Sequence, residues 1–331
     1  MVYCALKTAI QIDSVEIKQP VILAPMSGVS DLPFRRLVKQ LGAGLVVSEM
    51  IASQAMIRAN RKTLKMSSNC PEEFPMAVQL AGCDPVAMAE AAKLNQDRGA
   101  AIIDINMGCP VKKVVNGHAG SALMRQEDKA AKIIEATVNA VSIPVTLKMR
   151  TGWDDKSRNA PRLAQLAENA GIKMITVHGR TRCQFYKGQA DWDFIAKVTE
   201  AVEIPVVANG DVTTIENVEE IFRKSKAQGV MIGRGSYGRP WFLKQVIDFL
   251  KTGVASLTPP IREQHMLLRR HYEDMLHHYG SATGMRIARK HIGWYTKGLP
   301  KSAEFRAKVN RIDNPKIVFE LIDAFYQKVL E

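Results

Sequence analysis

The chain has 331 residues, 46% hydrophobic and 24% charged, with a formal net charge of +13. It can fill one large core plus an appended piece, but no apolar run could span a bilayer. The segment 1–20 is too short, and at Lys7 and Asp13 too polar, for a secretory signal, so a cytoplasmic location is expected.

In chain order, nearly continuous Val- and Ile-rich runs occur at 21–26, 44–50, 75–81, 101–107, 144–149, 174–178, 205–209 and 229–233. Such runs are expected of strands buried on both faces. Helical patterns fall between most of them, at 85–97, 126–141, 160–170, 193–202 and 214–226. Start signals include Asp84-Pro85 and Thr213 ahead of Glu216. Eight strands alternating with helices predict an α/β fold, a parallel sheet closed as a (β/α)8 TIM barrel. A doubly wound open sheet ranks below it, because no GxGxxG follows the first strand.

The stretch 251–260 reads as a linker. Beyond it the pattern is all helical, at 261–279, 283–297, 303–310 and 314–330. The expected organisation is a barrel over 1–250, the linker 251–260 and a smaller all-α domain over 261–331. From Thr258 onward thirteen Lys and Arg face eight Asp and Glu, about twice the net charge density of the preceding chain. Arg286, Arg289, Lys290 and Lys297 share one helical face, beside an apolar face of Ile287, His291 and Trp294. That stripe either meets phosphates or is a solvated surface.

Five cysteines, Cys4, Cys70, Cys83, Cys109 and Cys183, show no CxxC spacing and leave one unpaired. Reduced thiols are expected, with no disulfide framework and no metal site.

Polar clusters mark the strand ends. Asn209-Gly210-Asp211 and Gly233-Arg234-Gly235 follow the last two strands, where barrels hold phosphate on backbone amides. Arg234 can add a charge-assisted contact, and the alternative is a pair of tight turns. Gln79, Lys148 and His178 end strands three, five and six. A lysine inside a barrel strand is costly unless it meets an anion or an electron-rich atom. A reduced flavin, with negative charge near N1 and O2, would satisfy it. His178 is a ligand contact or a hydrogen-bonded core histidine. The small residues around Pro25, Met26 and Ser27 would let backbone approach a flat ring. Cys109 closes Asp104-Ile105-Asn106-Met107-Gly108-Cys109-Pro110. A structural thiol is one reading, better suited to Cys70, Cys83 or Cys183, and Cys4 is incidental. A nucleophile needs a nearby base, whereas a general acid needs the thiol kept protonated. The residues alone leave those two open.

These motifs resemble the tRNA-dihydrouridine synthases, in particular the bacterial B-type branch. The match runs almost end to end, through Ala24-Pro25-Met26, Val47-Ser48-Glu49-Met50, Gln79-Leu80-Ala81-Gly82 and Asn106-Met107-Gly108-Cys109-Pro110 with Lys112-Lys113. It continues through Ala119-Gly120-Ser121, Lys148-Met149-Arg150, His178-Gly179-Arg180, Asn209-Gly210-Asp211, Gly233-Arg234 and Arg286-Ile287-Ala288-Arg289-Lys290-His291. The resemblance implies FMN on the barrel mouth, held by Pro25, Met26, Ser27, Gln79, Lys148, His178, Asn209, Gly210, Asp211, Gly233 and Arg234. Ser27 stands where alanine is more usual, at a contact made largely by backbone. The resemblance also implies NADPH or NADH as reductant, tRNA as partner, Cys109 as the acid, and Asn106 and Arg150 facing the uracil. Tyr186 is expected near that pocket. Lys112, Lys113, Arg286, Arg289 and Lys290 are expected to meet the RNA. Two rivals are an FMN barrel acting on a free dihydropyrimidine and a non-catalytic tRNA-binding protein.

Overall fold

The computed structural model describes residues 9–58 and 61–331, and Cys4 lies outside them. An antiparallel hairpin comes first, β1 (Ile10–Ile12) and β2 (Val15–Ile17), turning through Asp13 at φ 49°. The barrel strands follow: β3 (Val21–Leu23), β4 (Leu45–Val47), a short β5 (Ile51–Ala52), β6 (Met76–Ala81) and β7 (Ile102–Met107). Then come β8 (Val145–Arg150), β9 (Ile175–His178), β10 (Val206–Asn209) and β11 (Gly229–Ile232). All pairings among them are parallel, and β4 bonds to both β3 and β6 while β11 bonds back to β3. The sheet therefore closes, as the strand pattern predicts.

The expected run 44–50 is broken. Val47 pairs with Ala77, whereas Ile51 pairs with Leu80, so the first side carries one extra residue. At the bulge, Ser48 Oγ accepts the Gln79 N–H at 3.0 Å in place of a backbone carbonyl. The next residue, Glu49, turns its carboxylate to the N–H of Gly28.

The barrel interior is filled from below. Ile10, Ile12 and Ile17 of the hairpin pack with Ile22, Leu45, Ala77, Ile102 and Val207 toward the N-terminal ends of the strands. The approach is close: a Cβ on Gly44 would stand 1.9 Å from Gln19 O, and one on Gly229 2.7 Å from Ile10 Cδ1.

Helices cover the outside, several with side-chain caps. Asp84 accepts from Ala87 N and Asp31 from Phe34 N. The start expected at Thr213 and Glu216 lies one residue later. Thr214 is the extended cap and exchanges bonds with Asn217, so the reciprocal box runs Thr214–Asn217 rather than Thr213–Glu216.

The helix Phe242–Thr252 stops at Gly253, whose φ of 79° is the left-handed stop that favours glycine. Helices then run Ile261–Tyr279, Ser281–Tyr295, Ser302–Val309 and Pro315–Leu330. They bury their own cluster, including Leu268, Tyr272, Ile292, Ile322 and Tyr326, with Trp241 inserted from the barrel side. The seam is specific. Tyr279 donates to Asp31 Oδ2 at 3.0 Å, and Trp294 stacks on Tyr237 with ring centres 4.2 Å apart.

Candidate active site

A cavity of about 680 Å³ opens at the C-terminal ends of the barrel strands, a size usual for a ligand pocket. Its lining includes all eleven residues expected to hold FMN, together with Asn106, Cys109, Arg150 and Tyr186. Met50, Val212, Thr213, Gly235 and Tyr237 also line it; Val212 and Tyr237 carry no sequence signal of their own.

Side chains two apart on a strand share a face, which puts Asp104 with Asn106 on β7 and Lys148 with Arg150 on β8 into one interior. Asn106 and Lys148 are register partners, as are Arg150 and His178, and His178 and Asn209. Lys148 is buried and donates to Asn209 Oδ1 at 3.1 Å. Among the described residues this is its one hydrogen bond, for three ammonium donors. Burial, then the neighbouring Arg150, lowers its pKa to about 8, against the pull of Asp104.

Cys109 is half-buried and clamped from both sides. Its N–H donates to Asn106 Oδ1 at 2.9 Å, as does Gly108 N at 3.2 Å. Its carbonyl accepts from Ser121 Oγ at 2.8 Å and Ser121 N at 3.1 Å. Gly120 sits at φ 61°, and a Cβ there would lie 2.9 Å from Cys109 O. Burial pushes the thiol pKa up from its ordinary value, against the nearby Arg150 and Lys148 charges. The group therefore holds its proton at neutral pH, which favours the acid over the nucleophile left open by the residues.

Arg150 is spent largely on backbone. It donates to Gly108 O at 2.8 Å, Thr181 O at 2.9 Å and Phe185 O at 2.8 Å. It thereby ties the Cys109 turn to the loop bearing Tyr186, whose exposed ring lies 5.6 Å from the Arg150 guanidinium and 4.9 Å from that of Arg234.

At the Asp211 end of the cavity the cations outnumber the carboxylate. Arg180, buried and not singled out by the sequence motifs except as a neighbour of His178, grips Asp211 through two bonds of 2.8 and 2.5 Å. Arg234 adds a third at 3.0 Å and Ala190 N a fourth at 2.8 Å. Burial raises the Asp211 pKa, but these partners outweigh it and hold it below the ordinary carboxylate value. Two guanidinium charges over one carboxylate leave a net positive edge beside the Gly210 and Gly233 backbone. His178 is held neutral by burial and by Arg150, Lys148, Arg180 and Arg234 around it. With Arg180 Nη1 3.4 Å from His178 Nε2, the ring accepts there and carries its proton on Nδ1. Gly210, at φ 122°, leaves no room for a side chain, since a Cβ would meet His178 Cδ2 at 2.9 Å. Gly210→Ala is therefore expected to displace His178 and weaken ligand binding, measurable by titrating flavin into the variant.

The expected RNA-facing residues separate. Lys112 and Lys113 are exposed on the helix Lys112–Asn116, directly beyond cavity-lining Pro110 and Val111. Arg286 is exposed. Arg289 is held by Asp313 and Ile312 O, both at 2.9 Å. Lys290 turns inward, its Nζ 3.0 Å from where a Cβ of Gly28 would stand.

The family model for dihydrouridine synthase matches residues 22–330. A protein of Rickettsia conorii described as "Probable tRNA-dihydrouridine synthase" is 58% identical over 323 residues, covering 97% of this chain and 98% of that protein. The "tRNA-dihydrouridine synthase B" of Xanthomonas axonopodis pv. citri is 48% identical over 320 residues, covering 97% and 96%. Among solved structures, a 2-naphthoyl-CoA reductase complex superposes with a TM-score of 0.57 at 13% identity, over 77% of this chain and 54% of the other. Morphinone reductase in complex with tetrahydroNAD gives 0.52 at 14% identity, over 78% and 93%. At such identity these two structures speak for the barrel fold alone.

Proposed function

We propose, from the premise that this chain belongs to the dihydrouridine synthase family, that it reduces uridines in tRNA to 5,6-dihydrouridine using FMN and NADPH. The observation that carries the reading is the half-buried Cys109 thiol, whose desolvation favours its protonated form, in a cavity lined by two buried cations, Lys148 and Arg150.

The donor set fits a flavin mononucleotide. Lys148 has ammonium donors to spare for an electron-rich ring edge, and Gln79 presents an amide beside it. The Arg180–Asp211–Arg234 group and the adjoining glycine backbone fit a phosphate. When bound, reduced FMN supplies the hydride for uracil C6. Cys109 gives its proton to C5. Lys148 and Arg150 lower the cost of charge developing on the uracil oxygens. Asn106, already committed to the Cys109 turn, orients the base edge, and Tyr186 offers it an aromatic face at the mouth. A base reaching this depth has left its stack.

Lys148 gives a pH test. Its pKa of about 8 means the cation is present below that value and lost above it. FMN affinity of the apoprotein should accordingly weaken as pH rises through about 8. Lys148→Met should bind FMN weakly and show no such dependence, as read by flavin fluorescence.

The exposed cations set the RNA test. Lys112→Glu, Lys113→Glu and Arg286→Glu should weaken tRNA binding and each flatten its salt dependence by about one unit of slope. Flavin reduction by NADPH should be unchanged. Arg289, already paired with Asp313 and Ile312 O, should contribute less to that slope.

The activity itself is tested with purified protein, NADPH and unmodified tRNA transcripts, reading dihydrouridine by mass spectrometry. Turnover of free uracil or dihydroorotate, with none of tRNA, would replace this reading by the free-pyrimidine one.

A further inference from the structure

Asp104 lies two residues below Asn106 on β7 and does not line the cavity. It is buried, and both oxygens accept: Oδ1 from Thr146 Oγ1 and Oδ2 from Gln79 Nε2, each at 2.7 Å. Gln79 then presents Oε1 to Asn106 Nδ2 at 2.8 Å. Asn106 in turn presents Oδ1 to the N–H groups of Gly108 and Cys109. The chain has one consistent polarity. A carboxylate has only acceptors to offer, so Gln79 must turn its NH2 toward Asp104 and its carbonyl toward Asn106. The far end demands the same sense, because two backbone donors need the Asn106 oxygen. Buried networks of this kind fix a unique arrangement when every member is satisfied.

We propose that Asp104 is a positioning residue: through Gln79 and Asn106 it sets the orientation of the Cys109 turn, and so the direction in which the thiol delivers its proton. This rests on Cys109 as the proton donor. The group that acts is the acceptor atom facing Gln79. Asparagine can supply that atom too, with its carbonyl toward Gln79 and its NH2 toward a rotated Thr146 hydroxyl. Leucine and serine cannot, the first having no acceptor and the second being too short.

The test compares Asp104→Asn, Asp104→Leu and Asp104→Ser in the flavin-loaded protein. Asp104→Asn is expected to stay within about threefold of the parent in tRNA reduction, measured as a single turnover after pre-reduction. Asp104→Leu and Asp104→Ser are expected to lose about tenfold or more in that step, the scale of an orphaned buried hydrogen bond, while flavin reduction by NADPH holds within about threefold. Iodoacetamide should alkylate Cys109 at least about threefold faster in these two variants, as the turn loosens, and at the parent rate in Asp104→Asn. If Asp104→Leu does not fold, Asp104→Ser decides. Equal losses in Asp104→Asn and Asp104→Ser would overturn the proposal, because charge rather than the acceptor would then matter. Unchanged transfer and alkylation in Asp104→Ser would overturn it as well. Alkylation needs no RNA, so a parent protein that fails to reduce tRNA would sink the functional reading, while the hold of Asp104 on the Cys109 turn would still be decided by the alkylation rates.

Discussion

Cys109→Ala should yield a yellow, flavin-loaded protein that NADPH still reduces, while transfer to tRNA falls roughly 100- to 10,000-fold, the worth of a positioned general acid. The flavin contacts expected from the cavity do not depend on the thiol. The backbone clamp on residue 109 uses its N–H and carbonyl, which alanine retains. Only the proton is removed. Stopped-flow absorbance separates the two half-reactions, and an undiminished second half would remove Cys109 from the chemistry. The pH profile carries its own sign. The thiol is active when protonated, and burial raises its pKa above the ordinary value of 9.0. Its contribution to the transfer step is thus full through the neutral range and lost only as pH rises through that raised value.

The largest effect on stability is expected at Arg35. Its guanidinium is buried against an equally buried Glu73, with bonds of 2.8 and 3.1 Å, and it also reaches Ser30 O at 3.0 Å and Ser68 O at 2.6 Å. Arg35→Met leaves the buried Glu73 carboxylate without its countercharge, with the Cys70 N–H still donating to it, which costs about 3–5 kcal/mol. Adding Glu73→Leu should recover much of that, since the second change removes the stranded charge. Urea midpoints of the three variants test it. The damage should reach the cavity, because Ser30 Oγ holds Met26 N at 2.8 Å in the loop that lines it.

The barrel was legible because each core strand is a short Val- and Ile-rich run, and buried parallel strands leave that mark on the sequence. The site was legible for a related reason: an ionisable or amide side chain inside such a run, like Lys148 or Gln79, has no structural excuse. What was hidden has physical causes. The hairpin of β1 and β2 is three residues a side and shows its period only when paired. The bulge at Ser48 depends on a hydroxyl replacing a carbonyl, which no hydrophobic pattern records. Arg180 reads as one more cation after a histidine until Asp211, 31 residues on, is found between it and Arg234. The stripe at Arg286, Arg289 and Lys290 shares a helical face as spacing requires. Spacing does not say that Asp313 and Gly28 lie opposite two of its members.

The hairpin beneath the barrel has a kinetic corollary. Because Ile10, Ile12 and Ile17 stop the lower end, the proposed electron donor and RNA base would share one doorway. On the proposed reading the two take turns there. Double-reciprocal plots of initial rate against one substrate, at fixed levels of the other, should form parallel lines. Excess NADPH should inhibit by competing with tRNA.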